Sequence, residues 1–366
     1  MGTSRAMEES RFEFDDDYHE INEFFCKQHW TDGLPVVPPT EEAVMRMVAA
    51  TARQAEEVVG RIPPRWAEAT TEKIAANAVM AGCRPEYMPV VLAAVEAMLP
   101  EEFNLHGMHR PLLTLARPWS SSMVQYARSS TINCRYGVFG PGWRANATIG
   151  RALRLVLLNI GGGWPGELDR STLGQPGKYT FCIGENEEES PWAPLHVERG
   201  FQKEDSTVTV VPADAPRDVL DRSSTSARGV LLTCACALAA LGCSNTLHNH
   251  KPRCETILAL CPEHAGTIAR EEWTKDAVKQ FMSENAGLEI DKYGPEVGAW
   301  RREQLERDGQ ALWPDGRVPL GRSKEDIVII VTGGAGKHSA CLTVAGAMAS
   351  VTRLIRKPDH PHGGSP

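Results

Sequence analysis

The sequence lacks the cysteine spacings that mark common metal and redox sites. None of its ten cysteines forms a Cys-x-x-Cys pair, which excludes a zinc ribbon, a thioredoxin motif and a ferredoxin-type cluster. Ten cysteines in 366 residues are also too few for a disulfide scaffold. We therefore expect reduced thiols and a cytoplasmic protein.

An excess of positive charge and a long apolar run are missing as well. The chain carries 39 lysines and arginines against 47 acidic residues, so it lacks the basic face that sequence-independent nucleic-acid binding needs. Its longest nearly unbroken apolar run, residues 229–243, is too short to span a bilayer comfortably. The polar, acidic first residues lack the apolar region of a signal peptide. We expect neither a nucleic-acid nor a membrane partner.

Nucleotide-binding fingerprints are absent from the sequence. Residues 333–336, Gly-Gly-Ala-Gly, do not have the Gly-x-Gly-x-x-Gly spacing of nicotinamide and flavin sites. A Walker A loop would need its first glycine at Val331, and His338 separates Lys337 from Ser339. The cofactor is left open, and a divalent metal, zinc or iron, is the candidate that the side chains suggest.

The sequence does contain enough apolar residues, 42%, for a sizeable core. Its last third alternates short apolar strands with helical patterns, which is typical of an open α/β sheet. We predict an α/β fold, a mixed open sheet flanked by helices, with a mostly helical N-terminal region. The predicted organisation is a disordered tail at 1–15, a helical region at 16–110, an α/β domain at 111–356 and a disordered tail at 357–366.

Individual elements follow from the spacing of apolar residues, the β-branched content and the positions of proline and glycine. The predicted helices are 15–27, 71–81, 85–99, 144–158, 228–241, 262–270, 275–285, 295–307 and 340–349. The predicted strands are 111–116, 178–183, 207–211, 255–260, 326–332 and 351–355.

The glycine-rich loop after strand 326–332 is the first candidate site. A helix predicted to start near residue 340 would offer free amides and a positive dipole end to an anion. Lys337 and Ser339, with the backbone at Gly334 and Gly336, would bind a small anionic substrate, and His338 would transfer protons. The alternative is a glycine-rich turn with an exposed lysine.

A second candidate site follows strand 255–260, at the start of the next predicted helix. Cys261, Glu263 and His264 place a thiol, a carboxylate and an imidazole there, a set that suits acid–base, nucleophilic or metal chemistry. If the two strands are neighbours, His264 and His338 line one crevice. The alternative is a capping glutamate and a buried, hydrogen-bonded histidine.

Two histidines and a cysteine precede that strand in an irregular segment. His248, His250 and Cys254 have suitable ligand atoms for zinc or iron, although their spacing matches no established metal signature. Cys254 is also a candidate nucleophile beside Cys261. The alternative is that the neighbouring basic residues, Lys251 and Arg253, bind an anion or pair with acidic side chains.

An acidic segment follows the predicted strand 178–183. Glu185 and Glu188, with His196 further on, could be catalytic groups or metal ligands. The alternative is a solvated charged face.

Basic side chains gather at the start of the predicted helix 144–158. Arg144 and Arg151 share one face of that helix, and with Asn146 they could bind a carboxylate or a phosphate. The alternative is internal salt bridging to the acidic segment.

Four sequence blocks resemble an uncharacterised bacterial protein family. The blocks are residues 30–40 (WTDGLPVVPPT), 77–83 (NAVMAGC), 144–151 (RANATIGR) and 335–339 (AGKHS). Genes of that family neighbour genes for a selenoprotein, or its cysteine form, with a UGSC motif. The resemblance supplies neither a substrate nor catalytic residues, and it implies that a UGSC-type partner chain completes the active site.

These observations favour an enzyme of small-molecule metabolism. It would form or cleave a bond between carbon and sulfur or nitrogen in a small anionic substrate, with thiol and histidine acid–base chemistry, as a lyase or a thiol-dependent transferase or oxidoreductase. One alternative is a metal-dependent lyase or hydrolase. The other is a non-catalytic subunit of a heteromeric complex, and homo-oligomerisation stays open.

Overall fold

The computed structural model describes residues 11–106, 122–127, 144–167, 169, 174–240, 255–319, 323–344 and 349–356. Within them, ten helices combine with small mixed sheets, so the α/β prediction is confirmed. The helices are α1 (Tyr18–Lys27), α2 (Glu41–Ala49), α3 (Thr71–Met80), α4 (Met88–Met98), α5 (Arg144–Asn159), α6 (Leu195–Glu198), α7 (Ala227–Leu238), α8 (Pro262–Ala269), α9 (Lys275–Asn285) and α10 (Pro295–Arg307). The strands are β1 (Val58–Ile62), β2 (Ala67–Thr70), β3 (Ser122–Ala127), β4 (Cys182–Gly184), β5 (Thr207–Pro212), β6 (Arg217–Leu220), β7 (Thr256–Leu260), β8 (Gly287–Glu289), β9 (Arg317–Pro319), β10 (Ile327–Val331), β11 (His338–Thr343) and β12 (Val351–Leu354).

The N-terminal region is helical, as predicted, with one addition. The side chains of Thr40 and Thr70 accept backbone N–H bonds at the starts of α2 and α3. Helix α4 is apolar nearly all round and is buried along most of its length against β5 and β12. The addition is an antiparallel ribbon of β1 and β2, which the helical reading of this region did not predict.

One four-stranded sheet has the order β12-β5-β3-β4. Strand β3 is antiparallel to β5 and parallel to β4. The prediction for 207–211 is confirmed as β5, whereas the predicted strand 178–183 is a 3-10 turn at Pro176–Lys178 followed by the shorter β4. The predicted strand 111–116 lies outside the described residues.

The second four-stranded sheet has the order β10-β7-β11-β6 and carries the candidate site. Strand β7 is parallel to β10 and antiparallel to β11. Leu258 and Leu260 point into a core shared with α7, α8 and α9, while Ile257 and Ala259 point into the larger core on the other face. Burial on both faces explains why β7 and β10 appear in the sequence as uninterrupted apolar runs.

The predicted helix 340–349 is wrong over its first part, because residues 338–343 form strand β11. A short apolar run that is buried on both faces shows neither the helical period nor the period of a strand. Its sequence therefore does not distinguish a strand from a buried helix. Residues 345–348 lie outside the described part of the chain. Lys337 and Ser339 therefore lie at the start of a strand, and the helix terminus expected to bind an anion there does not exist.

The ends of three strands meet at one edge of the fold. The backbone N–H of Thr332, just after β10, donates to the carbonyl of Leu260 at the end of β7, at 2.9 Å. An isolated bridge pairs Thr332 with Glu185, which follows β4. The Asn186 N–H also donates to the carbonyl of Val331, at 2.8 Å. The loop after β10 then crosses the end of β7 and returns as β11.

Candidate functional site

The candidate site is a buried cluster of a thiol, an imidazole and a hydroxyl at the end of β7. Cys261 links β7 to α8 and is only 3% exposed. His264 lies in the first turn of α8, one turn after Cys261, and is buried as well. Ser339 comes from the antiparallel neighbour β11, whose Ala340 pairs with Ala259 of β7. The two predicted segments, 261–264 and 333–339, thus converge.

Hydrogen bonds join the three side chains through Ser339. The Cys261 backbone N–H donates to Ser339 Oγ at 3.0 Å. Ser339 Oγ lies 2.7 Å from His264 Nδ1 and 3.6 Å from Cys261 Sγ. The hydroxyl can therefore exchange a proton with the imidazole on one side and with the thiol on the other.

The electrostatics of the cluster favour charge separation between Cys261 and His264. Burial alone would raise the pKa of the Cys261 thiol, but hydrogen bonds from His264 and Ser339 outweigh it and hold this pKa below its ordinary value. Burial would lower the pKa of His264, but its interactions with Cys261 and with the backbone of Asp221 outweigh it and raise this pKa. A thiolate beside an imidazolium at a helix start is the arrangement that makes a cysteine reactive.

Asp221, which the sequence analysis did not single out, completes the surroundings of His264. Its backbone carbonyl lies 3.0 Å from His264 Nε2. Its carboxylate accepts the backbone N–H groups of Ser223 and Ser224 and the hydroxyl of Thr233. In the sequence, Asp221 stands two residues before Ser223 and three residues before Ser224. An aspartate at this spacing is typical of a turn in which the side chain accepts backbone N–H groups.

His338 does not share a pocket with His264, so that part of the sequence prediction is wrong. Neighbouring residues of a strand point to opposite faces, and Ser339 takes the face toward α8. The His338 ring is exposed, and its Nδ1 lies 3.0 Å from a carboxylate oxygen of Asp218. The expected crevice between two histidines is replaced by a histidine–serine contact.

The other residues predicted near these loops lie around the cluster. Lys337 Nζ donates to the carbonyl of Arg222 at 3.0 Å. Glu263 is exposed at the first turn of α8, and its carbonyl accepts the hydroxyl of Thr267. The predicted backbone cradle at Gly334 and Gly336 lies in the loop that crosses β7, where Gly336 has a positive φ of 143°.

The basic side chains at the start of α5 bind partners within the protein. Arg144 Nε donates to the carbonyl of Gly82 at 2.8 Å, and Asn146 Nδ2 donates to the carbonyl of Cys182 at 2.9 Å. Arg151 makes a two-pronged contact of 2.9 and 2.8 Å with the carboxylate of Asp32. These side chains bind within the protein, which is the alternative that the sequence analysis left open. Their partners, however, do not belong to the acidic segment that was expected to pair with them.

The acidic segment after β4 contains a second buried group. Glu185 is 5% exposed, and both of its carboxylate oxygens accept the backbone N–H of Leu195 at 3.2 Å. Burial raises the pKa of Glu185 to about 7. The buried ring of His196 has no hydrogen-bond partner among the described residues, and its Nδ1 lies 3.8 Å from Glu187. Glu188 is exposed.

The metal hypothesis finds no ligand set in the described part of the chain. In that part, no group of three histidine, cysteine or acidic side chains lies close enough together to hold a metal ion. Glu185 and Glu188 therefore belong to no such group among the described residues. His248, His250 and Cys254 lie outside the described residues. A site built on those three residues stays a prediction.

Comparison with known proteins leaves the chain without a family assignment. No model of a known protein family matches it, and no curated protein matches it. The resemblance to the family with UGSC-type gene neighbours therefore stays a prediction. Among the described residues, no helix has both the length and the apolar character that crossing a membrane requires.

Proposed function

We propose that this protein is an enzyme of small-molecule metabolism in which Cys261 is the reactive thiol and His264 its acid–base partner. The observation that carries the proposal is the bridge from Cys261 through the Ser339 hydroxyl to His264 Nδ1. A buried cysteine that serves only as packing needs no such partners. Cys83 provides the contrast: its thiol also has a hydrogen bond, with Thr148, but burial outweighs it and raises the pKa of the thiol to about 12.

The bridge supports a proton transfer in two linked steps. The Cys261 thiol gives its proton to Ser339 Oγ while the Ser339 hydroxyl proton passes to His264 Nδ1. The products are a thiolate, a re-formed hydroxyl and an imidazolium whose Nε2–H still donates to the Asp221 carbonyl. The proton count is unchanged, and the nucleophile is generated inside the protein.

The thiolate then attacks an electrophilic carbon of the substrate. A bond from Cys261 Sγ to carbon forms as the bond from that carbon to sulfur or nitrogen breaks, and the electron pair leaves with the heteroatom. The proton held on His264 returns through Ser339 to the leaving group. Water or an amine displaces Cys261 from the carbon and gives up a proton, which restores the thiol.

Two features favour a small anionic substrate. The cluster is nearly enclosed, which excludes a bulky substrate. Lys337 places its ammonium beside the turn at Asp221, because its carbonyl accepts the Asp221 N–H at 3.4 Å and its Nζ binds the Arg222 carbonyl. The Lys337 ammonium is therefore held at Arg222, the residue that follows Asp221, whose carbonyl contacts His264.

Alkylation followed by peptide mass spectrometry tests the role of Cys261. Exposed Cys26 and Cys236 provide ordinary thiols within the same sample, and buried Cys83 provides an inert one. We expect Cys261 to keep reacting with iodoacetamide at pH 6, where a thiol with an unperturbed pKa reacts about tenfold more slowly for each pH unit below that pKa. A folded protein in which Cys261 is as inert as Cys83 from pH 6 to 9 contradicts the proposal.

Comparing charged and neutral reagents tests the anion preference. Lys337→Ala should slow iodoacetate at Cys261 several-fold and leave iodoacetamide unaffected, because only the first reagent carries the charge that the ammonium attracts. Lys279→Ala is the control, since that lysine pairs with Glu198. Equal effects of Lys337→Ala on the two reagents would remove the anionic substrate from the proposal.

A further inference from the structure

Both oxygens of the Asp221 carboxylate accept hydrogen bonds, from its own turn and from helix α7. Oδ1 accepts the N–H groups of Ser223 and Ser224 at 3.1 and 2.9 Å, and Oδ2 accepts the hydroxyl of Thr233 on α7 at 2.7 Å. Burial would raise the pKa of Asp221, but these hydrogen bonds outweigh it and hold the pKa far below its ordinary value. Asp221 therefore stays ionised and has no proton to exchange.

The carbonyl of the same residue determines which nitrogen of His264 carries the proton. A carbonyl oxygen only accepts, so the contact of 3.0 Å requires a hydrogen on His264 Nε2. In the neutral ring, Nδ1 then keeps its lone pair and turns it toward Ser339 Oγ at 2.7 Å. That is the tautomer that can accept the proton of Cys261 through Ser339.

We propose that Asp221 is a positioning residue: its carboxylate fixes the turn whose carbonyl holds His264 in the Nε2–H tautomer. This inference rests on the proposed function of Cys261 and His264. The carboxylate fastens the turn to α7 through Thr233, and the Asp221 N–H fastens it to the backbone of Lys337. The chain thus uses a main-chain carbonyl where many catalytic histidines are oriented by a carboxylate.

The direct test is the tautomer of His264 in the folded protein, measured by two-dimensional ¹⁵N NMR of labelled histidine. At a pH above the pKa of His264, where the ring is neutral, we expect the Nε2–H form in the wild type and a mixture of tautomers in Asp221→Ala. Thr233→Val should also give a mixture of tautomers, because it removes the hydrogen bond to Asp221 Oδ2. Thr233→Ser keeps a hydroxyl at this position and should therefore keep the wild-type signal. Thr274→Ala, which removes the cap of α9, controls for loss of stability alone.

The second readout is the pH profile of Cys261 alkylation. We expect Asp221→Ala and Thr233→Val to raise the apparent pKa of the thiol and to slow the reaction at pH 7 at least threefold, with Thr274→Ala unchanged. If His264→Asn shifts the profile but Asp221→Ala and Thr233→Val do not, the positioning role is wrong and the proposed function stands. If His264→Asn also leaves the profile unchanged, the proposed function itself fails. Thr233→Val and Thr233→Ser decide the matter if Asp221→Ala does not fold.

Discussion

Replacing Glu185 by glutamine should make the folded protein more stable at pH 8 than the wild type. Burial raises the pKa of this carboxyl from an ordinary 4.5 to about 7 in the folded state. The folded chain therefore binds more protons than the unfolded chain between pH 4.5 and 7. Because of this difference, the free energy of unfolding falls as the pH rises through that window.

The magnitude follows from the two pKa values. The contribution of Glu185 is fully present below pH 4.5 and is lost as the pH rises past 7, a total of about 3 kcal/mol. Glutamine has no charged form to bury, and its carbonyl oxygen still accepts the Leu195 N–H that Glu185 binds at 3.2 Å. The variant should therefore lack this part of the pH dependence.

Urea unfolding at pH 5, 6, 7 and 8, followed by circular dichroism, measures the effect. We expect the difference in unfolding free energy between Glu185→Gln and the wild type to grow from about 1 kcal/mol at pH 5 to about 3 kcal/mol at pH 8. Glu188→Gln, an exposed neighbour, should follow the wild type at every pH. Parallel pH curves for Glu185→Gln and the wild type would refute the argument from burial.

Three further predictions concern contacts elsewhere in the fold and the orientation of His338. Asp32→Ala should lower the urea-unfolding free energy by about 3 kcal/mol, because it leaves the guanidinium of Arg151 without its carboxylate. Gly150→Ala should destabilise by about 2 kcal/mol in the same assay, since a Cβ there would meet a backbone nitrogen at 2.5 Å, whereas Gly266→Ala in open space should not. His338→Gln should leave the alkylation rate of Cys261 unchanged, since its ring faces away from the cluster; a tenfold loss would contradict the geometry.

Several elements could be predicted from the sequence because one physical signal dominated there. The helix 275–285 has a threonine cap and a regular apolar stripe, and α9 has the predicted limits. Strands β7 and β10 are mostly apolar runs, each of which follows an acidic residue, Glu255 or Asp326. The ribbon of β1 and β2 was missed because its strands are only five and four residues long and show no regular alternation of buried and exposed side chains.

The candidate site was predicted in its parts and missed in its arrangement. Cys261, His264 and Ser339 were each singled out, and their two loops do converge. Ser339 was expected to bind substrate at a helix start, and its contact with His264 depends on β11 being a strand. The role of the Asp221 carbonyl could not be predicted, because main-chain atoms leave no signature in a sequence and contacts distant along the chain decide where they point.

The most direct test of the account is the pKa of Cys261 itself. The ultraviolet absorbance of thiolates, measured against pH in the wild type and in Cys261→Ser, gives this value as a difference curve. The account predicts a midpoint below the ordinary cysteine value of about 8.5, moved upward by His264→Asn. A midpoint above that value, or one that His264→Asn leaves in place, would contradict a reactive thiol at this site.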